Sequence, residues 1–307
     1  MIDALRLTLL AAACAAAAGA PPALAGACDR TTEVAGFACR HEAKDDYWIA
    51  LGRCANVANN GARSTCKRNA ETQLEEAQDE CADQAEARAQ LCAALGQAPY
   101  DPDIRAKRFL TPEQAAQQPN PYLPLVPGSE RVYRNAEEII TVTVTTQTLE
   151  VMGIEAMVVR DVVTDLEGEL IEDTEDWFAQ DVDGNVWYFG EIAQNFEDGR
   201  LVDVEGSWAA GVEHAKPGIV MPAAPRAGMT YRQEFDLGGA EDAGRVLDTQ
   251  GSESVAAASC AATCLVTEDF SPLEPGAVEH KYYAPGVGLI LELDPESGER
   301  TELVSRR

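Results

Sequence analysis

The sequence predicts an α+β protein. An N-terminal antiparallel helical hairpin stapled by disulfides precedes a mainly antiparallel β domain, either a barrel or a curved meander sheet. Three observations carry this expectation. Six cysteines in the first third of the chain are spaced symmetrically. Beyond residue 130 apolar and polar residues alternate in short runs separated by tight-turn signals. No helical segment alternates with those runs, which argues against an α/β arrangement.

Composition sets the outer limits. A chain of 307 residues accommodates two structural parts, and 46% hydrophobic residues suffice for a core, so wholesale disorder is excluded. The 24 Lys+Arg against 52 Asp+Glu give a net charge of −28. Such a surface repels phosphate backbones, so no nucleic-acid partner is expected.

Residues 1–25 read as a secretory signal peptide. Arg6 precedes an apolar run at 7–18, followed by Gly-Ala-Pro-Pro and small residues, with cleavage after Ala25. The run is too short for a permanent membrane anchor, and no other stretch could serve as a transmembrane segment. The expected location is periplasmic or secreted. An outer-membrane lipoprotein anchored at Cys28 is the secondary reading, because Leu24 sits one position off the spacing of a lipid-attachment motif.

Residues 26–96 form the Cys-rich hairpin. Cys28 and Cys92, Cys39 and Cys81, and Cys54 and Cys66 share one midpoint, residue 60, which falls in the turn signal Asn59-Asn60-Gly61. At about 100° per residue, the spacings keep the three cysteines of each arm on one helical face. Facing positions of an antiparallel hairpin share a midpoint, so the expected disulfides are Cys28–Cys92, Cys39–Cys81 and Cys54–Cys66. A hairpin buries little apolar surface and needs such staples. Its exposed faces offer a possible surface for a protein partner.

Residues 97–130 hold 7 of the 16 prolines and read as an extended, Pro-rich linker. A short helical patch is expected near Thr111–Gln118, started by Thr111-Pro112-Glu113. Residues 131–307 form the β domain. Strands are expected at Ile139–Thr148, Glu155–Thr164, Glu169–Ala179, Val186–Ile192, Leu201–Glu205, Thr230–Leu237, Ser252–Ala257, Leu265–Asp269, Val278–Tyr283 and Leu289–Leu293. Met152-Gly153, Glu167-Gly168, Asp183-Gly184 and Asp198-Gly199 supply turns between them.

Several stretches of this domain form a recognisable set: Glu172-Asp-Thr-Glu-Asp-Trp-Phe-Ala-Gln-Asp181, Gly184-Asn-Val-Trp-Tyr-Phe-Gly-Glu191, Gly206-Ser-Trp208, Tyr231-Arg-Gln-Glu234 and Glu279-His-Lys-Tyr-Tyr-Ala-Pro-Gly-Val-Gly288. With these the chain resembles an uncharacterised family of exported bacterial proteins, most clearly from residue 120 to the end. The resemblance implies export and carries no activity. Cys260 and Cys264 depart from that pattern.

Candidate site residues cluster in the same stretches. Alternation puts Glu172, Thr174 and Asp176 on one face of their strand and Asp173, Glu175 and Trp177 on the other. Both faces are acidic, unlike an ordinary half-buried strand. Asp181, Asp183 and Asn185, with Glu191 beyond, place oxygens at alternate positions. They fit a β-turn, and secondly a Ca²⁺ site, although the glycine lies too early for an EF-hand loop. Of the three histidines, His41, His214 and His280, the last stands beside Glu279 on a strand. It reads as a strand histidine before a metal ligand. The metal candidates are therefore Asp173, Asp176, Asp181, Asp183, Asn185, Glu191, Glu279 and His280. No cofactor is identified; Ca²⁺ ranks ahead of copper or zinc. The ligand candidates are Trp177, Trp187, Trp208, Arg232, Glu234 and Tyr282, read mainly as core aromatics and an ion pair and otherwise as a groove. Cys260 and Cys264 read as a disulfide that needs a turn between them, and less readily as copper ligands.

No nucleophile elbow, zinc-protease motif or phosphate-binding loop is present. The leading functional reading is a non-enzymatic, exported binding protein for a cation or small ligand at an acidic and aromatic site on the β domain. The alternatives are a carboxylate-dependent hydrolase directed at glycans and a purely structural envelope protein.

Overall fold

The computed structural model describes residues 26–307; the expected signal peptide lies outside the described residues. Two long helices, α1 (Ala27–Ala55) and α2 (Asn60–Leu95), run antiparallel. The turn falls at residues 56–59, just before the expected centre, because Asn59 caps α2 by accepting the Ala62 N–H at 2.9 Å. All three expected disulfides are present, with Cα–Cα separations of 5.7 Å for Cys28–Cys92 and Cys39–Cys81 and 5.6 Å for Cys54–Cys66. The buried positions between the staples are mostly small: Ala35, Gly36, Ala43 and Ala70. Small side chains let the helices approach to disulfide distance but bury little area, so the covalent links hold the pair.

The following segment is more ordered than an extended connector. Thr111 and Gln114 form a capping box for α3 (Pro112–Gln117). Asn120 then acts as a hub: its side-chain oxygen accepts the Tyr122 and Leu123 amides, and its side-chain nitrogen donates to the carbonyls of Gly184 and Pro222. This fixes Tyr122, Leu123 and Leu125 as an apolar plug among interior residues such as Val144, Val159 and Leu265.

The remaining chain forms one antiparallel sheet of fifteen strands. In chain order they are β1 (Glu130–Arg134), β2 (Glu138–Val151), β3 (Ile154–Asp165), β4 (Leu170–Gln180), β5 (Val186–Glu197), β6 (Arg200–Asp203), β7 (Trp208–Ala209) and β8 (Lys216–Met221). They continue with β9 (Thr230–Arg232), β10 (Glu234–Phe235), β11 (Ala243–Val255), β12 (Ala258–Phe270), β13 (Val278–Ala284), β14 (Gly288–Leu293) and β15 (Arg300–Arg306). The order β10-β8-β5-β4-β3-β2-β1-β15-β14-β13-β12-β11-β9 is a meander whose first and last strands pair, with β6 and β7 branching from β5. The result is a nearly closed, barrel-like sheet on the α+β plan that the sequence predicts.

Closure comes from one stretch, residues 230–235. Its first half pairs with β11 and its second half with β8. Between them the Gln233 and Glu234 amides both donate to the Asp242 carbonyl, at 2.8 and 3.3 Å, which makes a bulge. Gly218 on β8 permits this: a Cβ there would stand 2.4 Å from the Gln233 carbonyl carbon and oxygen.

Four strands lie outside the sequence-based assignments: β1, β7, β8 and β15. Pro217-Gly218 argues against a strand in β8, yet Pro217 needs no ladder donor at its position and Gly218 is required by the crossing. The expected strands Ser252–Ala257 and Leu265–Asp269 are parts of two longer strands, β11 and β12. Their ladder shifts register where the Cys260–Cys264 disulfide pinches β12, with Cα–Cα 5.4 Å and Ala262 at φ 53°. The turn that this disulfide needed is thus a bulge within a strand.

The hairpin docks on the sheet through a buried ion pair. Arg88 donates to both carboxylate oxygens of Glu241, at 2.7 Å from Nη2 and 2.9 Å from Nε. Removing one partner of such a pair costs about 3–5 kcal/mol. Closure is tested most simply at Gly218. Gly218→Ala should destabilise the protein by about 1–3 kcal/mol, read as a lower urea midpoint, whereas Gly52→Ala on the exposed face of α1, with nothing within 4 Å of its added methyl group, should cost nothing.

Candidate binding site inside the barrel

Strand alternation divides the barrel interior into two ends. At the plugged end Leu125, Val144, Val159 and Leu265 pack together. Further along the same inner faces the residues become ionisable: Asp161 on β3, Asp176 on β4, Lys281 on β13 and Glu292 on β14. Between the two ends lies a cavity of about 290 Å³, with Leu123, Phe178 and Leu289 on its apolar side and Asp161, Asp176, Tyr188, Lys281 and Glu292 on its polar side; Arg131, which donates to the carbonyls of Val287 and Pro124, also lines it. Beyond Lys281 it meets an open mouth lined by Glu191, Gln233, Glu234, Asp242 and Asp269.

The polar end holds more carboxylates than cations. Asp176 accepts the Tyr188 hydroxyl at 2.6 Å, and the Tyr188 ring stacks on Phe178 with centroids 4.8 Å apart. Burial pushes the Asp176 carboxyl up to about 6, with the charge of Glu172 adding and the Tyr188 hydrogen bond opposing. Glu191 faces Asp176 across the β4–β5 ladder. Burial, and then the charge of Asp176, push it up to about 7. Asp161 is raised well above the usual carboxylate range by burial and then by Asp176, and its Oδ1 is buried with no hydrogen-bond partner. At the mouth, burial and the neighbouring Asp242 raise Glu234.

Lys281 is the cation of this end. Its Nζ lies 3.4 Å from Asp269, 3.3 Å from Glu279 and 3.4 Å from Glu292. Burial alone would lower its pKa, but together Glu292, Asp269 and Glu279 hold it well above the usual value. One ammonium thus answers three carboxylates, and Asp161, Asp176 and Glu191 have no cation of their own among the contacts of the described residues.

The structure brings together four of the sequence-derived candidates, Asp176, Glu191, Glu234 and Glu279. Glu172, Thr174 and Asp176 do share the inner face of β4, and Asp173 lies on the outer face, bonded to Arg160 at 2.6 Å. Asp181, Asp183 and Asn185 form a turn away from the cavity. There Asp181 accepts the amides of Asp183 and Asn185, the Asn185 side chain and the Trp187 indole N–H, all within 2.9 Å. Asp183 pairs with Arg108 at 2.5 Å. His280 points to the outer face, 3.8 Å from Glu268. Among the described residues no three His, Cys, Asp or Glu side chains form a group that could hold a metal ion.

Trp177 and Trp208 are buried in one apolar cluster with Phe189. Trp208 also meets Tyr188 edge-on at 5.4 Å. Trp187 packs on Phe109, Tyr282 packs beside Ile290 and Val266, and Arg232 lies outside the barrel wall. The Cys260 and Cys264 sulfurs are bonded to each other, so neither is a free thiolate for copper. Sequence reasoning missed Asp161, Lys281, Asp242 and Glu292. The available signal was a charged residue inside an apolar alternating run, as at Val159-Arg160-Asp161-Val162.

No protein-family model matches the chain, and no curated protein matches it in sequence. Two solved structures share part of its path. One is a Bacteroides fragilis protein described as exported with a YmcC-like fold: 13% identity, 65% of this chain and 99% of that one covered, TM-score 0.33. The other is a Parabacteroides distasonis protein described as a lipoprotein: 11% identity, 60% and 97% covered, TM-score 0.31. At these scores the likeness carries no argument about fold or function.

The carboxylates couple stability to pH. Those of Asp176 and Glu191 stand at about 6 and about 7 in the folded protein against ordinary values of 3.8 and 4.5. The folded state therefore holds protons that the unfolded state has released, and stability should fall as pH rises from about 5 to about 8. Asp161→Asn should remove part of that loss, raising the melting temperature more at pH 8 than at pH 5, as differential scanning calorimetry would show.

Proposed function

We propose that the protein is an exported, non-enzymatic binding protein whose barrel takes a small organic cation with an apolar body. The observation that carries this reading is the cavity between the apolar plug and a set of half-buried carboxylates, one of which, Asp161, has a buried oxygen with no hydrogen-bond partner. An unpaired buried carboxylate is costly. A protonated amine placed against Asp161 and Asp176 would supply the missing charge, while its hydrocarbon body meets Leu123, Phe178 and Leu289.

Export is supported by the cysteines. All eight in the described residues are paired in disulfides, which persist in oxidising compartments. The Cys28 sulfur is bonded to Cys92, which favours a periplasmic or secreted protein over a lipid-anchored one. No helix among the described residues is long and apolar enough to cross a membrane.

A second reading draws on the facing pair Asp176 and Glu191. Carboxyls at about 6 and about 7 suit proton transfer near neutrality, the chemistry of a carboxylate-dependent hydrolase. Release of reducing ends from oligosaccharides, abolished by Glu191→Gln, would favour it.

The binding reading is tested by calorimetry and thermal unfolding with phenethylamine and hexylamine, their matched alcohols and carboxylates, and Ca²⁺. One amine should bind saturably, stabilise the protein by RT ln(1 + [L]/Kd) and do so more strongly at pH 8 than at pH 5. Asp161→Asn should weaken it by about tenfold, or about 1.4 kcal/mol. Equal stabilisation by the alcohols, or none by any amine, would sink the reading.

A further inference from the structure

We propose that the groove between the open end of the hairpin and the outer face of the barrel is a separate binding site for a single-chain amphiphile with a carboxylate head group. The groove holds about 490 Å³, within the ~300–1,000 Å³ of small-molecule sites. Leu95 and Pro99 from the end of the hairpin, Trp187 from β5 and Ile219 from β8 make it apolar. Arg232 is the charged residue that lines it, and no carboxylate does among the described residues.

Arg232 is held unusually for a cation in a chain of net charge −28. Its guanidinium carbon lies 4.9 Å from the centre of the Phe235 ring and 5.7 Å from that of Tyr100. Its Nη1 is buried with no hydrogen-bond partner. Its Nη2 meets the Cys28 sulfur at 3.9 Å, a weak acceptor already committed to a disulfide. The carboxylate whose charge reaches it, Glu241, also feels Arg88 and is occupied. Arg88 Nε and Nη2 take both oxygens, and the Gly238 amide donates to one of them. Arg88 Nη1 is likewise buried without a partner. The buried Arg88 and the half-buried Arg232 therefore share one carboxylate, leaving one positive charge in surplus, with the orphaned Arg232 Nη1 beside the apolar groove.

The missing group is defined by that deficit. It carries one negative charge, and its acceptor oxygens must match a planar guanidinium fork, which a carboxylate does. The rest of the molecule must be apolar, because the walls are. The N-terminal turn of α1, through Ala27, Cys28 and Thr31, lines the same groove.

The test is titration of the oxidised protein with dodecanoate below its micellar concentration, with dodecanol and dodecyltrimethylammonium in parallel. One dodecanoate should bind per chain, at least tenfold more tightly than either comparison molecule. Arg232→Gln should weaken it tenfold or more, Arg232→Lys should restore part of the affinity, and Arg245→Gln, which removes an exposed arginine elsewhere, should leave it unchanged. Should Arg232→Gln fail to fold, Ile219→Trp, which fills the groove while keeping the guanidinium, should abolish binding instead. Dodecanol binding as well as dodecanoate, undiminished affinity in folded Arg232→Gln, undiminished affinity in Ile219→Trp, or no saturable binding would each overturn the proposal.

Discussion

The fold depends on one backbone carbonyl, that of Asp242, which accepts two successive amides from Gln233 and Glu234. An uninterrupted strand would send these residues alternately in and out. The bulge instead keeps both facing the mouth of the barrel, while Tyr231 packs with the interior cluster and Arg232 and Phe235 face the outer groove. It also lets one short stretch leave β11 and join β8, so the two edges of the meander meet. The nearly closed sheet leaves little edge exposed to template aggregation, and the crossing sets the mouth apart from the cavity behind it. Gly218 is the residue whose missing side chain makes that crossing possible.

The wall so formed carries opposite charge surpluses on its two sides. Inside, Asp161, Asp176, Glu191 and Glu292 outnumber Lys281 and Arg131. Outside, Arg88 and Arg232 outnumber Glu241. Each surplus sits where water is scarce, so Coulomb interactions are several times stronger than in bulk solvent and an unpaired charge is costly. Neither contributes to the stability of the empty protein. Both are arrangements in which a ligand of the right charge restores what folding alone leaves unsatisfied. The disulfides fit this picture, because a scaffold that spends stability on charged interiors needs covalent support.

Legibility in the sequence followed the strength of the local constraint. The hairpin was readable down to each disulfide because antiparallel helices impose a shared midpoint on facing cysteines. Most strands were readable from alternation, and the inner face of β4 was correctly divided into Glu172, Thr174 and Asp176. Two features escaped for the same reason: they obey tertiary rather than local rules. Residues 122–125, Tyr-Leu-Pro-Leu, have no periodicity and read as linker, yet they plug the barrel because Asn120 anchors them to the β4–β5 turn and the loop after β8. β8 has no strand assigned from the sequence, because Pro217 and Gly218 interrupt its local pattern, yet it is where the barrel closes. Asp176, Glu191 and Glu234 were found among many acids. Asp161 and Lys281 were missed: a charge within an apolar run marks the position, as at Asp161, but which side chain turns inward is set by how the barrel closes.

Site-resolved titration of the carboxyl groups by ¹³C NMR on the oxidised protein is the most direct measurement of the enclosed, charged interior. On this account Asp176 and Glu191 titrate at about 6 and about 7, while the exposed Asp203, held by the Glu205 amide and Asn195, titrates below the ordinary 3.8. Ordinary values near 4 for both Asp176 and Glu191 would mean that water reaches them freely, and the enclosed anionic cavity would have to be abandoned.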